Sequence, residues 1–105
     1  MPLDATFAQL PDQTVEVTLN GTMTLGSSLK MLESQIRSAI NEGARHVVLN
    51  MESLTYMDSA GLGFLVLINA ELASQAGSLT LSKVNQRIRD LLALTRTDAI
   101  LKLDA

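Results

Sequence analysis

The chain has 105 residues, which is enough for one compact domain with a single core and too few for two. Eight basic against eleven acidic side chains leave a net charge of −3, the wrong sign for binding a phosphate backbone, so we expect no nucleic-acid partner. Cysteine is absent, which excludes disulfides, thiolate metal sites and a cysteine nucleophile and suits a reducing compartment.

The first predicted element is a strand over residues 15–19. Its three aliphatic side chains alternate with polar ones, a period of two that places them on one face, and Asn20-Gly21 is predicted to end it. The preceding segment, residues 5–9, is predicted to pair with this strand as a short edge hairpin across Pro11-Asp12.

After Ser28 the apolar spacing changes to steps of three and four, which is typical of an amphipathic helix, and Gly43 lies where its C-terminal cap belongs. The helical stripe consists of Leu29, Leu32, Ile36, Ala39 and Ile40. Residues 46–51 (HVVLNM) form a short, nearly continuous apolar run, which predicts a central strand covered on both faces. We expect a loop over residues 52–57 to follow it.

Residues 60–75 predict a second helix that is apolar around most of its circumference and closed by Gly77. A strand at residues 79–81, a third amphipathic helix over residues 85–94 and a last strand over residues 99–103 complete the chain. The order β-α-β-α-β-α-β predicts one α/β domain spanning residues 1–105. Its sheet should be largely parallel, with an N-terminal edge strand or hairpin, and flanked by helices.

The longest uncharged apolar stretch, residues 60–70, is far shorter than the roughly 20 residues that a membrane-spanning helix needs. The N-terminal residues also lack a basic segment followed by an apolar run. We therefore expect a cytoplasmic protein with no membrane partner.

Residues 56–63 (YMDSAGLG) combine an acid, a hydroxyl and two glycines between two apolar runs. Asp58 and Ser59 are both good N-cap residues, and Gly61 and Gly63 permit close approach of the helix to the sheet or of another backbone to the turn. Each glycine also lowers helix propensity by roughly 1 kcal/mol relative to alanine. A cap alone does not need them, so a second role stays open.

Enzymatic interpretations of this motif fail on specific residues. A dinucleotide fingerprint needs a third glycine where this chain has Val66, and a nucleophile elbow needs a glycine where it has Met57. The one histidine, His46, begins the central strand and is predicted at the edge opposite Ser59. One histidine and no cysteine are too few ligands for a transition metal. We expect no catalytic residues, no metal and no cofactor.

The remaining interpretation is that Ser59 is a substrate. A hydroxyl exposed at a helix N-terminus is accessible to a kinase, and phosphorylation adds about −1.5 to −2 charge. The helix dipole would favour this phosphate by only about 0.3 to 1 kcal/mol, so no large internal rearrangement follows. A partner carboxylate about 5 Å away would be repelled by about 3 kcal/mol per unit charge at an effective dielectric near 20. Such a phosphate would act as an interface switch.

Two runs of the sequence, residues 44–51 and Met57-Asp58-Ser59-Ala60-Gly61-Leu62-Gly63, closely resemble the STAS domain of bacterial anti-sigma-factor antagonists. The resemblance extends from the strand ending at Gly21 to the helix over residues 88–94. It implies that Ser59 is phosphorylated by an anti-sigma factor with serine kinase activity. It also implies that the unphosphorylated protein binds this factor and frees the sigma factor, and that a serine phosphatase resets the switch.

Two positions depart from the family pattern. The family commonly has Gly-Glu-Leu-Asp after the first strand, whereas this chain has Gly21-Thr22-Met23-Thr24, so Thr24 replaces an acid expected near the phosphorylation site. Ala60 stands where a second hydroxyl is common, which leaves Ser59 as the only hydroxyl of the motif. Related STAS domains serve as subunits of lipid-transport ABC systems or as parts of signalling assemblies. A scaffold that is not phosphorylated is therefore the alternative.

The resemblance and the sheet order together predict a partner-binding rim formed by residues 20–28 and 58–62, with the exposed part of the second helix. Thr24 and Ser59 should be neighbours there, because loops past the carboxyl ends of parallel strands meet at one edge. Asp58 is expected to orient the serine or cap the turn, and Gly61 and Gly63 to admit the partner. The predicted contact residues are Gly21, Thr22, Met23, Thr24, Asp58, Ser59, Ala60, Gly61 and Leu62.

Overall fold

The structure, a computed structural model, describes residues 3–104. Its elements are β1 (Asp4–Leu10), β2 (Thr14–Met23), α1 (Ser27–Asn41), β3 (His46–Met57), α2 (Ser59–Ser74), β4 (Ser78–Ser82), α3 (Gln86–Leu94), a short 3-10 helix (Thr97–Ala99) and β5 (Lys102–Leu103). The five strands form one sheet in the order β1-β2-β3-β4-β5. β1 pairs antiparallel with β2 and every other pair is parallel, which confirms the predicted α/β architecture and its edge hairpin.

The core lies on one face of the sheet. All three helices contribute buried side chains to a single cluster with the strands: Leu29, Leu32, Ile36 and Ile40 from α1, Phe64, Leu65, Ile68 and Leu72 from α2, and Ile88 and Leu92 from α3. The strand order follows the chain order, so each right-handed crossover advances in the same direction and places its helix on the same side. The helical stripe predicted for α1 is thereby confirmed.

The prediction that β3 is covered on both faces is wrong. Val47, Leu49 and Met51 are buried, whereas the alternate residues His46, Val48 and Asn50 are only partly buried. The helices leave that second face open. Val48 is apolar although it lies on the open face, so residues 46–51 resembled a strand that is buried on both faces. β3 nevertheless occupies the centre of the sheet, as predicted.

β2 and β3 are both longer than the sequence suggested. β2 continues past Asn20-Gly21 to Met23, and residues 52–57, predicted as a loop, are the second half of β3. The pairing between the strands shifts register twice near Gly21, whose φ of 108° is favourable for glycine. The extra residues lie on β3, between Asn50 and Ser53 and at Thr55, and they break its period of two, so residues 52–57 resembled a loop. β2 keeps its alternation through Met23, and only the Asn20-Gly21 turn signal suggested an earlier end.

The final strand is shorter than predicted. Residues 99–103 were expected to be extended, but Ala99 belongs to the 3-10 helix and β5 contains two residues. Arg96, with φ of 61°, turns the chain just before that helix. β5 therefore pairs with β4 over only two residues at this edge of the sheet.

Candidate functional site

Asp58 connects the two segments that form the carboxyl edge of the sheet. Its Oδ1 accepts a hydrogen bond from the Gly61 backbone N–H at 3.0 Å, which caps α2. Its Oδ2 accepts from the Leu25 N–H at 3.0 Å, in the loop between β2 and α1. Its own N–H donates to the Met23 carbonyl oxygen at 3.2 Å. Asp58 thus caps the first turn of α2, which is one of the two roles predicted for it. It also holds the loop between β2 and α1 against that turn.

These hydrogen bonds also set the charge of the site. The N–H of Leu25, and next that of Gly61, lower the pKa of Asp58 below its ordinary value because both donors favour the ionised carboxylate. Asp58 is therefore an anion at neutral pH. At neutral pH a negative charge therefore lies immediately before Ser59.

Ser59 is exposed at the first residue of α2. Its hydroxyl is at a helix N-terminus whose first turn is fixed by the Asp58 cap, so the position is both accessible and rigid. Thr24 lies between Met23 and Leu25, and Asp58 is hydrogen-bonded to both of these residues. The two loops therefore meet at one edge, as predicted from the parallel topology.

The predicted contact residues differ in exposure. Ser59 is exposed, and Thr22, Thr24, Asp58, Ala60 and Leu62 are partly exposed. Gly21, Met23 and Gly61 are buried. Gly21 and Met23 belong to the extended part of β2, and Gly61 lies in the first turn of α2, so we leave these three out of the surface proposed below.

Gly61 has an internal role. A Cβ at this position would lie 2.5 Å from the Met23 carbonyl oxygen and 2.8 Å from the Cγ atoms of Met23 and Met57. Gly61 therefore permits α2 to approach the end of β2, and this internal contact accounts for the glycine without a partner. Gly63 is different, because it is exposed and a Cβ there would have no neighbour within 4 Å.

Three exposed apolar side chains lie on the elements that form the predicted rim or adjoin it, although none was among the predicted contact residues. Leu25, in the loop fastened by Asp58, is 76% exposed, and Tyr56, three residues before Ser59, is 49% exposed. Leu67 is 46% exposed and follows Ser59 and Gly63 at intervals of four, on the same stripe of α2. A set of exposed apolar side chains around one polar group is typical of a protein-binding surface.

A groove of about 380 Å³ adjoins Ser59. Leu62 lines it on one side, and Leu91 and Thr95 line it from α3 and the residue that follows this helix. A second hollow of about 310 Å³ shares Tyr56, Met57 and Leu91 with this groove and extends to Arg87. This part of the site was not predictable from the motif, because α3 lies far from Ser59 along the chain and reaches it only through tertiary packing. The one sequence signal was the aromatic residue of the motif, Tyr56.

The histidine considered as a catalytic base lies apart from this rim. His46 begins β3 at the other end of the sheet, where its Nδ1 is 2.9 Å from the Ser78 hydroxyl. Among residues 3–104, no three histidine, aspartate or glutamate side chains are grouped closely enough to hold a metal ion. The same residues include no helix that is long and apolar enough to cross a membrane.

The fold and this site define the chain as a STAS domain. A sequence profile of the family described as STAS domain matches residues 8–105, and the chain belongs to that family. BtrV of Bordetella bronchiseptica, a proposed anti-sigma factor antagonist, is 28% identical over 69 residues. That alignment covers 66% of this chain and 60% of BtrV.

Solved structures agree on the fold. The anti-sigma factor antagonist SpoIIAA in its unphosphorylated form has a TM-score of 0.78 at 22% identity, over 97% of this chain and 88% of that one. The phosphorylated form of SpoIIAA, a Bacillus cell fate determinant, has a TM-score of 0.77 at 22% identity, over 97% and 92%. A proposed anti-sigma factor antagonist from Thermotoga maritima has a TM-score of 0.86 at 22% identity, over 96% and 86%.

Proposed function

We propose that this protein is an anti-sigma-factor antagonist whose unphosphorylated form binds an anti-sigma factor and thereby frees a sigma factor. The anti-sigma factor is also a serine kinase that phosphorylates Ser59, and a serine phosphatase reverses the modification. The observation that supports this most directly is the exposed Ser59 hydroxyl on a capped helix terminus beside exposed apolar side chains. The similarity to SpoIIAA, which exists in both phosphorylated and unphosphorylated forms, agrees with it.

The proposed switch is electrostatic. A phosphate on Ser59 adds about −1.5 to −2 charge next to the Asp58 carboxylate, which is already ionised. The fold itself tolerates the phosphate because a helix N-terminus favours negative charge by about 0.3 to 1 kcal/mol. A carboxylate on the bound partner, about 5 Å from the phosphate, would be repelled by about 3 kcal/mol per unit charge. The complex dissociates while the antagonist stays folded.

The proposed binding surface is centred on Ser59 and consists of exposed or partly exposed side chains. Apolar contacts come from Leu25, Tyr56 and Leu67, and from the groove beside Leu91. Thr22, Thr24, Asp58, Ala60 and Leu62 form the polar and small-residue part of the rim. Gly63 leaves space for the partner on the same stripe of α2. The protein acts in the cytoplasm by binding and not by catalysis.

One observation favours a second candidate function. Thr24 replaces the acid that the family commonly places near the serine, and a threonine hydroxyl supplies no charge to orient a kinase. Without phosphorylation the same rim would serve a constitutive scaffold, such as a subunit of a lipid-transport ABC system or of a signalling assembly.

Phosphorylation by the candidate kinase separates the two functions. The protein and its Ser59→Ala variant are incubated with ATP and an anti-sigma factor kinase encoded near its gene, and the modified residue is located by mass spectrometry. We expect one phosphate, on Ser59, which is absent from the variant and removed by the phosphatase. A stable complex in which Ser59 stays unmodified would instead support the scaffold.

A further inference from the structure

The two edges of the sheet are protected very differently. β5 is two residues long, includes Lys102 and is followed by Asp104, so its edge offers little to another strand. β1 is seven residues long and pairs with β2 over its whole length without a register shift. Residues 5–10 include no charged side chain, no proline and no glycine. Apart from Asp4 at its first residue, β1 therefore has none of the features by which proteins prevent an edge strand from pairing with another chain.

We propose that two copies of this chain form a two-fold symmetric dimer by antiparallel pairing of β1 with β1, which joins their sheets into one of ten strands. Directly opposite residues of an antiparallel pair point to the same face of the sheet. A two-fold pairing must therefore join residues whose numbers differ by an even number. The register that pairs all of residues 4–10 is centred on Phe7, and it is the one we assign.

The side chains of β1 are complementary to themselves in this register. Phe7 lies opposite Phe7 of the second copy, and Thr6 lies opposite Ala8. Asp4, the one charged residue of the strand, lies opposite Leu10, which is 40% exposed in the single chain. No like charges face each other, whereas an aromatic pair forms at the centre, and both features favour cross-strand pairing.

The surroundings of Phe7 provide a second reason for a second copy as the occupant. Phe7 is partly exposed and lines a groove of about 510 Å³ between β1 and α1, with Ala39 and Gln35 on the helix side. β1 is the outermost strand, so this groove has no wall beyond it. The second copy supplies that wall and covers the Phe7 ring with its own.

This dimer goes beyond the proposed function and does not depend on it. The two β2 strands run in opposite directions in the dimer, so the two rims containing Ser59 lie at opposite ends of the joined sheet. Both rims stay free, and one dimer can bind two partner molecules.

Sedimentation equilibrium of the purified protein tests the dimer, from about 1 µM to about 1 mM, a range that covers weak and moderate affinities. We expect a reversible monomer–dimer equilibrium within it. A sedimenting mass equal to the monomer at every concentration would overturn the proposal.

Charge on the edge strand tests the location of the interface. Thr6→Lys with Ala8→Lys places lysines opposite each other twice in the dimer, and both positions are exposed in the single chain. The control, Thr18→Lys with Asn20→Lys, adds the same charge to exposed positions of the same face on β2. We expect the edge variant to weaken dimerisation at least about tenfold and the control to leave it unchanged, with equal thermal stability. Equal dimerisation of the edge variant and the parent protein would refute the assigned edge.

Disulfide formation tests the register, because the chain contains no cysteine of its own. Thr6→Cys and Ala8→Cys variants are mixed and oxidised under mild conditions. Position 6 lies about 5 Å from position 8 of the second copy between Cα atoms, which a disulfide spans, whereas like positions are about 8 Å apart. We expect the mixed disulfide to dominate. Predominance of either like pair would contradict a centre at Phe7.

Discussion

Replacing Gly61 or Gly63 of α2 with alanine should change the free energy of unfolding in opposite directions. At Gly61 a Cβ would lie 2.5 Å from the Met23 carbonyl oxygen, a backbone atom that also accepts the Asp58 N–H. The methionine side chains near Gly61 are flexible, but this oxygen is held by the sheet and by that hydrogen bond. The first turn of α2 must therefore move away from β2 in the Gly61→Ala variant.

Overpacking of this kind costs about 1 to 3 kcal/mol, and the better helix propensity of alanine offsets up to about 1 kcal/mol. We therefore expect Gly61→Ala to lower the free energy of unfolding by about 1 to 2 kcal/mol. Gly63→Ala has the same chemistry without a neighbour within 4 Å, so it should raise the free energy of unfolding by about 0.5 to 1 kcal/mol.

Urea unfolding followed by far-ultraviolet circular dichroism measures both free energies under identical conditions. The difference between the free energies of unfolding of the two variants does not depend on helix propensity, because both replace glycine with alanine in the same helix. If Gly61→Ala is as stable as Gly63→Ala, the close contact between α2 and the end of β2 does not exist as described.

Two further predictions concern the rim. The lowered pKa of Asp58 contributes stability that is present above its unfolded pKa, near 3.8, and is lost as the pH falls through the folded pKa. The stability of the parent protein should therefore decline more steeply below pH 3.8 than that of Asp58→Asn, and parallel pH profiles would exclude the two backbone donors as the cause. Tyr56→Ala should weaken binding of the anti-sigma factor by about 2 kcal/mol without changing the fold, because Tyr56 is half exposed beside Ser59. Isothermal titration calorimetry measures this, and unchanged affinity would remove the groove from the proposed surface.

The order of elements was predictable because it depends on local periodicity. The helical spacing after Ser28 and the alternation of residues 15–19 both appear as buried faces in the structure. The open face of the sheet was not predictable from β3 alone. Whether Val48 is covered depends on the direction of three crossovers, which no short segment encodes.

The site was predictable only in part, for a similar reason. The motif identified Ser59 and Asp58, and the topology brought the loop containing Thr24 beside them. β2 continues past Asn20-Gly21 with its alternation intact, which buries Met23 and makes a predicted contact residue part of the core. The contribution of α3 beside the serine arises from tertiary packing, so local patterns contain no signal for it.

The affinity of the anti-sigma factor for three forms of the protein tests the proposed switch most directly: unmodified, phosphorylated on Ser59, and Ser59→Ala. We expect the unmodified and alanine forms to bind equally, because the hydroxyl itself contributes little charge. The phosphorylated form should bind about a hundredfold more weakly while its circular dichroism spectrum stays unchanged. Binding of the phosphorylated form as tight as that of the alanine variant would contradict repulsion at this rim.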